Sequence, residues 1–174
     1  MRYLLWIIAI VVLLVLNNGI FGVFHFSLIP PIALLPLVAA AVVAEDRPKV
    51  WLLAVVSGIL LDFVSGLPDG IMLLSIIISV GFLMLLKSMF LRKEQHFLFV
   101  YAATGLMSLV FFLLILSINQ LFILLGLSVS RLETTYLLGI NLVWFVVLNI
   151  IVAFPVLYYY HFIDSLARKL PKTS

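Results

Sequence analysis

The feature that most constrains this chain is a series of apolar runs, each close to the thickness of a bilayer, with charge gathered almost wholly between them. A run of about 18 or more apolar residues, rising 1.5 Å per residue, matches the ~30 Å hydrocarbon layer. Inside the runs only Asp62 and Lys87 are formally charged. With 66% of its residues hydrophobic and 10% charged, the chain is far from the ~25% charge of soluble domains. A membrane barrel would need ~10-residue strands alternating apolar and polar positions, and no such alternation is present. The fold class expected is an all-α integral membrane protein.

Six helices follow from the runs and from the breakers between them, at about 3–24, 29–44, 50–66, 71–91, 96–125 and 134–162. Together they form one transmembrane domain over residues 1–174. The first run is too long for a secretory leader and lacks a small-residue cleavage site, so it is expected to be a retained helix. Pro30 and Pro31 suit the first turn of the second helix, where a missing N–H does no harm, and Pro36 is expected to bend it. Leu67-Pro68-Asp69-Gly70 is a turn signal that places Asp69 to N-cap the fourth helix. The fifth run is long for one straight crossing, so a tilt or a break near Ser117-Ile118-Asn119-Gln120 is expected. Pro155 should bend the sixth.

Six crossings put alternate loops on opposite sides. One side then holds Arg2, Arg47, Lys49, Lys87, Arg92, Lys93, Arg168, Lys169 and Lys172, nine cations, and the other only Arg131. By the positive-inside rule this split places both termini in the cytoplasm, and an odd number of helices would spoil it. Cations standing singly at helix ends leave no nucleic-acid footprint. Trp6, Trp51 and Tyr158-Tyr159-Tyr160 fall near the expected cytoplasmic ends, where amphipathic rings favour the interface. There is no cysteine, which excludes disulfides and thiolate metal sites. His25, His96 and His161 cannot meet at one metal in this topology and are expected as interfacial residues. No metal and no cofactor is expected.

Asp62 most needs a physical account. Counted from Val50 it lies about 18 Å along its helix, beyond the midplane, where a carboxylate on an insertion scale costs about 2.5–3.5 kcal/mol or less toward the interface. It is therefore expected to face the bundle or water. Three roles are open to it: capping backbone near the outer interface, a buried hydrogen bond to Asn18 or Asn119 at similar depth, or a step in a proton or ion relay. A relay needs a chain of titratable groups, and no other crossing supplies one. Gly58 and Gly66 flank Asp62 at four-residue spacing, a stripe of small residues that lets a second helix approach closely. Asn141 and Asn149 share one face of the sixth helix, where interhelical hydrogen bonding is expected. No H-E-x-x-H, nucleophile elbow, glycine-rich phosphate loop or facing aspartate pair occurs, so the chain is expected not to be an enzyme.

The segment Ser57-Gly58-Ile59-Leu60-Leu61-Asp62-Phe63-Val64-Ser65-Gly66-Leu67-Pro68-Asp69-Gly70 resembles the signature of the rod-shape-determining MreD family, close to G-L-L-L-D-L-x-S-G-x-P-x-G at the end of the third helix. Gly58, Leu60, Leu61, Asp62, Ser65, Gly66, Pro68 and Gly70 match; Asp69 stands where an apolar residue is commoner. The resemblance implies a non-enzymatic component of the bacterial cell-elongation machinery in the inner membrane. Its implied partners are an MreC-like protein and, through it or directly, the MreB filament and the RodA–penicillin-binding-protein synthase. Gly58, Asp62, Ser65, Gly66, Pro68 and Gly70, with Asn18 and Asn119 at similar depth, are the candidate structural or partner-binding residues. The family is also similar in fold to the substrate-binding S components of vitamin transporters. That likeness supplies the alternative, a transporter subunit in which Asp62, Asn18 and Asn119 line an outward cavity. S components carry an A-x-x-x-A-like pattern on the first helix, which the Leu-, Ile- and Val-rich first helix here lacks.

Overall fold

Backbone amides and carbonyls find no water in hydrocarbon, so apolar runs of this length satisfy them internally as helices. The computed structural model of the chain describes residues 2–23, 33–44, 47–65, 70–90, 97–126 and 140–169, with side chains for 3–16, 33–44, 47–65, 70–88, 99–126 and 142–169. Among the described residues there are six α-helices and no strand: α1 (Arg2–Val23), α2 (Leu34–Val43), α3 (Arg47–Ser65), α4 (Ile71–Phe90), α5 (Phe97–Leu124) and α6 (Ile140–Lys169). Four of them, α3 to α6, are long and apolar enough to cross a membrane. The chain is a multi-pass membrane protein. In α1 and α2 the described apolar stretches are shorter, Tyr3–Leu16 and Leu34–Val43.

The core is α2. All ten of its residues are buried, and it packs against each of the other five helices. Those five close a ring around it, in the order α1, α3, α4, α5, α6 and back to α1. The successive alanines Ala39, Ala40 and Ala41 keep α2 slender, so that its neighbours can come close on several sides. Large rings fill the space between the outer helices: Phe112 of α5 meets Phe145 of α6 at 5.4 Å between centroids. The outward faces carry Val15, Phe63, Leu124, Ile151 and Phe154, all exposed, as a lipid-facing surface requires.

Several boundaries differ from expectation, each for a local reason. The α2 helix starts at Leu34, so Pro36 sits within its first turn, where its missing N–H has no intrahelical partner to lose. Pro30 and Pro31 lie outside the described residues. The α3 helix starts at Arg47 and takes Pro48 into its first turn. The α5 helix is unbroken over 28 residues, about 42 Å. Its Ser117 hydroxyl donates back to the Leu113 carbonyl at 2.9 Å, a bond that a serine can make without ending a helix. The α6 helix contains Pro155 and runs on to Lys169, two turns past the expected end at Phe162.

Among the described glycines the closest approach of a second helix is at Gly58 of α3, where an added Cβ would lie 2.8 Å from the Leu73 Cα of α4. A backbone atom cannot swing aside. Gly58→Ala should therefore destabilise the bundle by about 1–3 kcal/mol in thermal or denaturant unfolding of the detergent-solubilised protein. Gly81→Ala, on an open face of α4 with nothing within 4 Å, should leave stability unchanged or slightly raised.

Candidate functional site

The start of α4, set against the last turns of α3, brings Gly58, Asp62, Ser65 and Gly70 into one construction. Gly70 precedes α4 with φ +96°, a left-handed conformation that glycine adopts without strain, and its carbonyl accepts the Leu74 N–H at 2.9 Å. It thus holds the N-cap position, and has no side chain with which to bond the free amides that follow. Asp62 supplies that group from the neighbouring helix. One carboxylate oxygen accepts the Met72 N–H at 2.8 Å and the other the Leu73 N–H at 3.2 Å. A negative charge is thereby set at the positive end of the α4 dipole. The one-turn spacing of Gly58 and Asp62 points both at the first turn of α4. Gly58 lets the Leu73 backbone come close, and Asp62 then reaches its amide.

Asp62 lies in the last turn of α3, which ends at Ser65. The Ser65 hydroxyl donates to the Asp62 backbone carbonyl at 3.3 Å. Gly58, Asp62, Ser65 and Gly70 are therefore brought together. Gly66 and Pro68 lie outside the described residues, as does Asp69, the expected N-cap. Asn18 belongs to α1, its side chain outside the described positions. Asn119 is buried in α5. Asn149 is buried on α6 and its amide donates back to the Phe145 carbonyl at 2.9 Å, whereas the Asn141 side chain lies outside the described set.

The opposite end of the bundle holds a second polar cluster, and its acidic member was not singled out in the sequence. Lys49, in the first turn of α3, donates to Asp164 of α6 at 2.7 Å, with the two side chains only 11% and 16% exposed. Its ammonium also stands 4.9 Å from the Trp6 ring centre and 5.5 Å from that of Tyr160, within cation–π range. The two rings are 5.2 Å apart. Arg168 closes on the other Asp164 oxygen from one turn further along, through Nε and Nη2, both at 2.8 Å. The Tyr159 hydroxyl donates to the Ala9 carbonyl of α1 at 3.1 Å. Trp6 and Tyr160 are therefore buried parts of a clamp among α1, α3 and α6 and not interfacial belt residues, whereas Trp51 and Tyr158 are exposed. The available signal was the Asp164–Arg168 spacing of four residues, masked by the expectation that α6 ends before it.

Lys87 makes a third fastening. From the last turn of α4 its ammonium donates to the carbonyls of Val42 and Val43, at 2.9 and 2.6 Å, at the C-terminal end of α2. Cations favour that end, where carbonyls lack intrahelical donors. His161 is exposed and sets its ring edge-on to Tyr160. Among the described residues no three of His, Asp or Glu are grouped to hold a metal ion. Chemically, Asp62 and Lys87 hold the ends of helices, and Asp164 holds two cations.

Asp62→Ala leaves the first amides of α4 without their carboxylate. It should lower stability by about 1–2 kcal/mol and speed hydrogen exchange at Met72 and Leu73 selectively. Asp62→Asn keeps one acceptor oxygen and loses the charge, so it should fall between. Unchanged exchange at those two amides in Asp62→Ala would refute the cap.

The chain matches no family model, no curated protein and no solved structure.

Proposed function

We propose that this protein is a non-catalytic scaffold of the bacterial cell-elongation machinery, of the MreD kind, which supports rod shape and peptidoglycan synthesis by binding the membrane segment of an MreC-like partner. It crosses the inner membrane six times with both termini in the cytoplasm. The observation that carries this proposal is the Ser57–Gly70 signature, read together with what its residues do. Gly58 and Asp62 fix the angle and height at which α3 meets α4, so the signature acts on the frame of the protein and not on a reacting group. The nine-to-one division of cations supports the orientation.

With Gly58 and Asp62 turned toward α4, the partner's helix is left the exposed flank of α3 beside them. Trp51, Val55, Ile59 and Phe63 stand there at four-residue spacing and are all exposed, Phe63 by 80%. Ridges of this spacing are those by which helices interdigitate. A partner's transmembrane helix seated along this ridge would be held at an angle that the Asp62 cap determines. The MreB filament and the RodA–penicillin-binding-protein synthase are then reached through the partner or directly.

Deletion of the gene in its rod-shaped host should round the cells and delocalise the MreC-like protein, and wild-type expression should restore both. Phe63→Ala with Ile59→Ala should express and fold but retain at most about a tenth of the partner in co-purification, since an apolar hot spot at such a contact carries 1–2 kcal/mol or more. Normal rods after deletion, with the MreC-like protein still in place, would sink the proposal.

A further inference from the structure

The exposed face of α6 carries a second pattern, independent of the signature. Ile151, Phe154, Tyr158 and Phe162 stand at spacings of three and four residues on one side of the helix, exposed by 61, 68, 81 and 54%. The stripe covers about 16 Å along the axis, close to the ~15 Å that one leaflet contributes to the hydrocarbon layer. Beyond its end, on the last turn of α6, stand Arg168 and Lys169, both exposed. The Arg168 side chain is 81% exposed even while Asp164 holds two of its nitrogens. Among the described residues Asp164 is shared between Lys49 and Arg168, one anion to two cations, and Lys169 adds a further positive charge.

We propose that an anionic phospholipid binds along α6, one acyl chain on the Ile151–Phe162 stripe and its phosphate at Arg168 and Lys169. The match of length and the order of chemistry carry this assignment, because the stripe turns from apolar to cationic where a lipid turns from chain to headgroup. A membrane segment of a partner protein is the rival occupant, and crosslinking from position 154 separates the two. Asp164 is a positioning residue for this site: its contacts with Nε and Nη2 orient a guanidinium whose side chain is 81% exposed.

The test uses the full chain in nanodiscs or micelles containing equal phosphatidylglycerol and phosphatidylcholine with identical acyl chains, with retained lipid counted by native mass spectrometry. Each cation near an anionic headgroup contributes about a fivefold preference, so at least about fivefold enrichment of phosphatidylglycerol is expected. Arg168→Gln with Lys169→Gln should lower the ratio by at least about fivefold. Phe154→Ala with Phe162→Ala should lower retention of both lipids and keep the ratio. In the unmodified protein, the preference should shrink as salt is raised, a readout that needs no variant to fold. Three results would each overturn the proposal. The first is equal retention of the two lipids. The second is thermal protection by inorganic phosphate equal to that by the lipid. The third is a photo-crosslinker at position 154 that captures a protein, not lipid, in native membranes.

Discussion

A helix that ends within or beside hydrocarbon leaves amides at one end and carbonyls at the other, and neither the lipid nor a distant loop can bond them. In this bundle charged side chains from neighbouring helices take up that role. Asp62 of α3 closes the start of α4, and Lys87 of α4 closes the end of α2. The α4 helix is thus tied at both ends, to α3 by a charge it receives and to α2 by a charge it gives. In each case the sign of the charge agrees with the helix dipole. These contacts do what hydrophobic burial does in water, where sequestering apolar faces would be enough. Between lipid and protein an apolar side chain gains little by moving, so geometry has to come from packing and from polar bonds.

The closed ring follows from the same constraint. A central helix of ten residues spans only about 15 Å and could not hold position in a bilayer alone. The α2 helix is held because five helices surround it and because Lys87 clasps its final carbonyls. The ring is shut at one end by the Lys49–Asp164 pair, which joins α3 to α6, with Trp6 of α1 stacked beside them. A buried ion pair carries a desolvation cost that attraction alone seldom offsets. Here Arg168 supplies a second donor to the carboxylate, and two aromatic faces cover the ammonium. The carboxylate thereby has two cationic partners, and the cluster specifies which helices meet.

How much of this was legible in the sequence depended on the kind of signal. Helices were written in the length of the runs, and the α3–α4 corner in Gly58, Asp62 and Gly70, residues whose types have few other uses in a membrane. The centrality of α2 was much harder to see. In soluble proteins polarity separates the buried face from the exposed one, but here both are apolar, with Leu35, Leu37 and Phe111 inside and Phe63, Phe154 and Leu124 outside. Asp164 was hidden for a different reason. A drop in hydropathy after Phe162 resembles the end of a membrane helix, yet a helix can leave the hydrocarbon and continue, and its last two turns carry the clamp. Serine likewise misleads as a breaker. In α4 and α5 the hydroxyls of Ser75, Ser79 and Ser117 bond back to carbonyls four residues before them and leave the helix continuous.

The use of the signature residues within the protein bears on where a partner can bind. Asp62 spends both carboxylate oxygens on α4, and Gly58 is covered by Leu73. Substituting either therefore alters the relative placement of α3 and α4 before it alters any outer contact. The ridge of Trp51, Val55, Ile59 and Phe63 lies on α3 itself, so a change in the height or tilt of that helix is carried directly to whatever is docked there. If a partner helix docks on this ridge, recognition and architecture are coupled through one helix. A loss of binding after substitution at Asp62 would by itself be ambiguous, because it could come from a displaced ridge as readily as from a lost contact. Substitutions at Ile59 and Phe63 separate the two, since their side chains face outward and the cap beneath them is left intact.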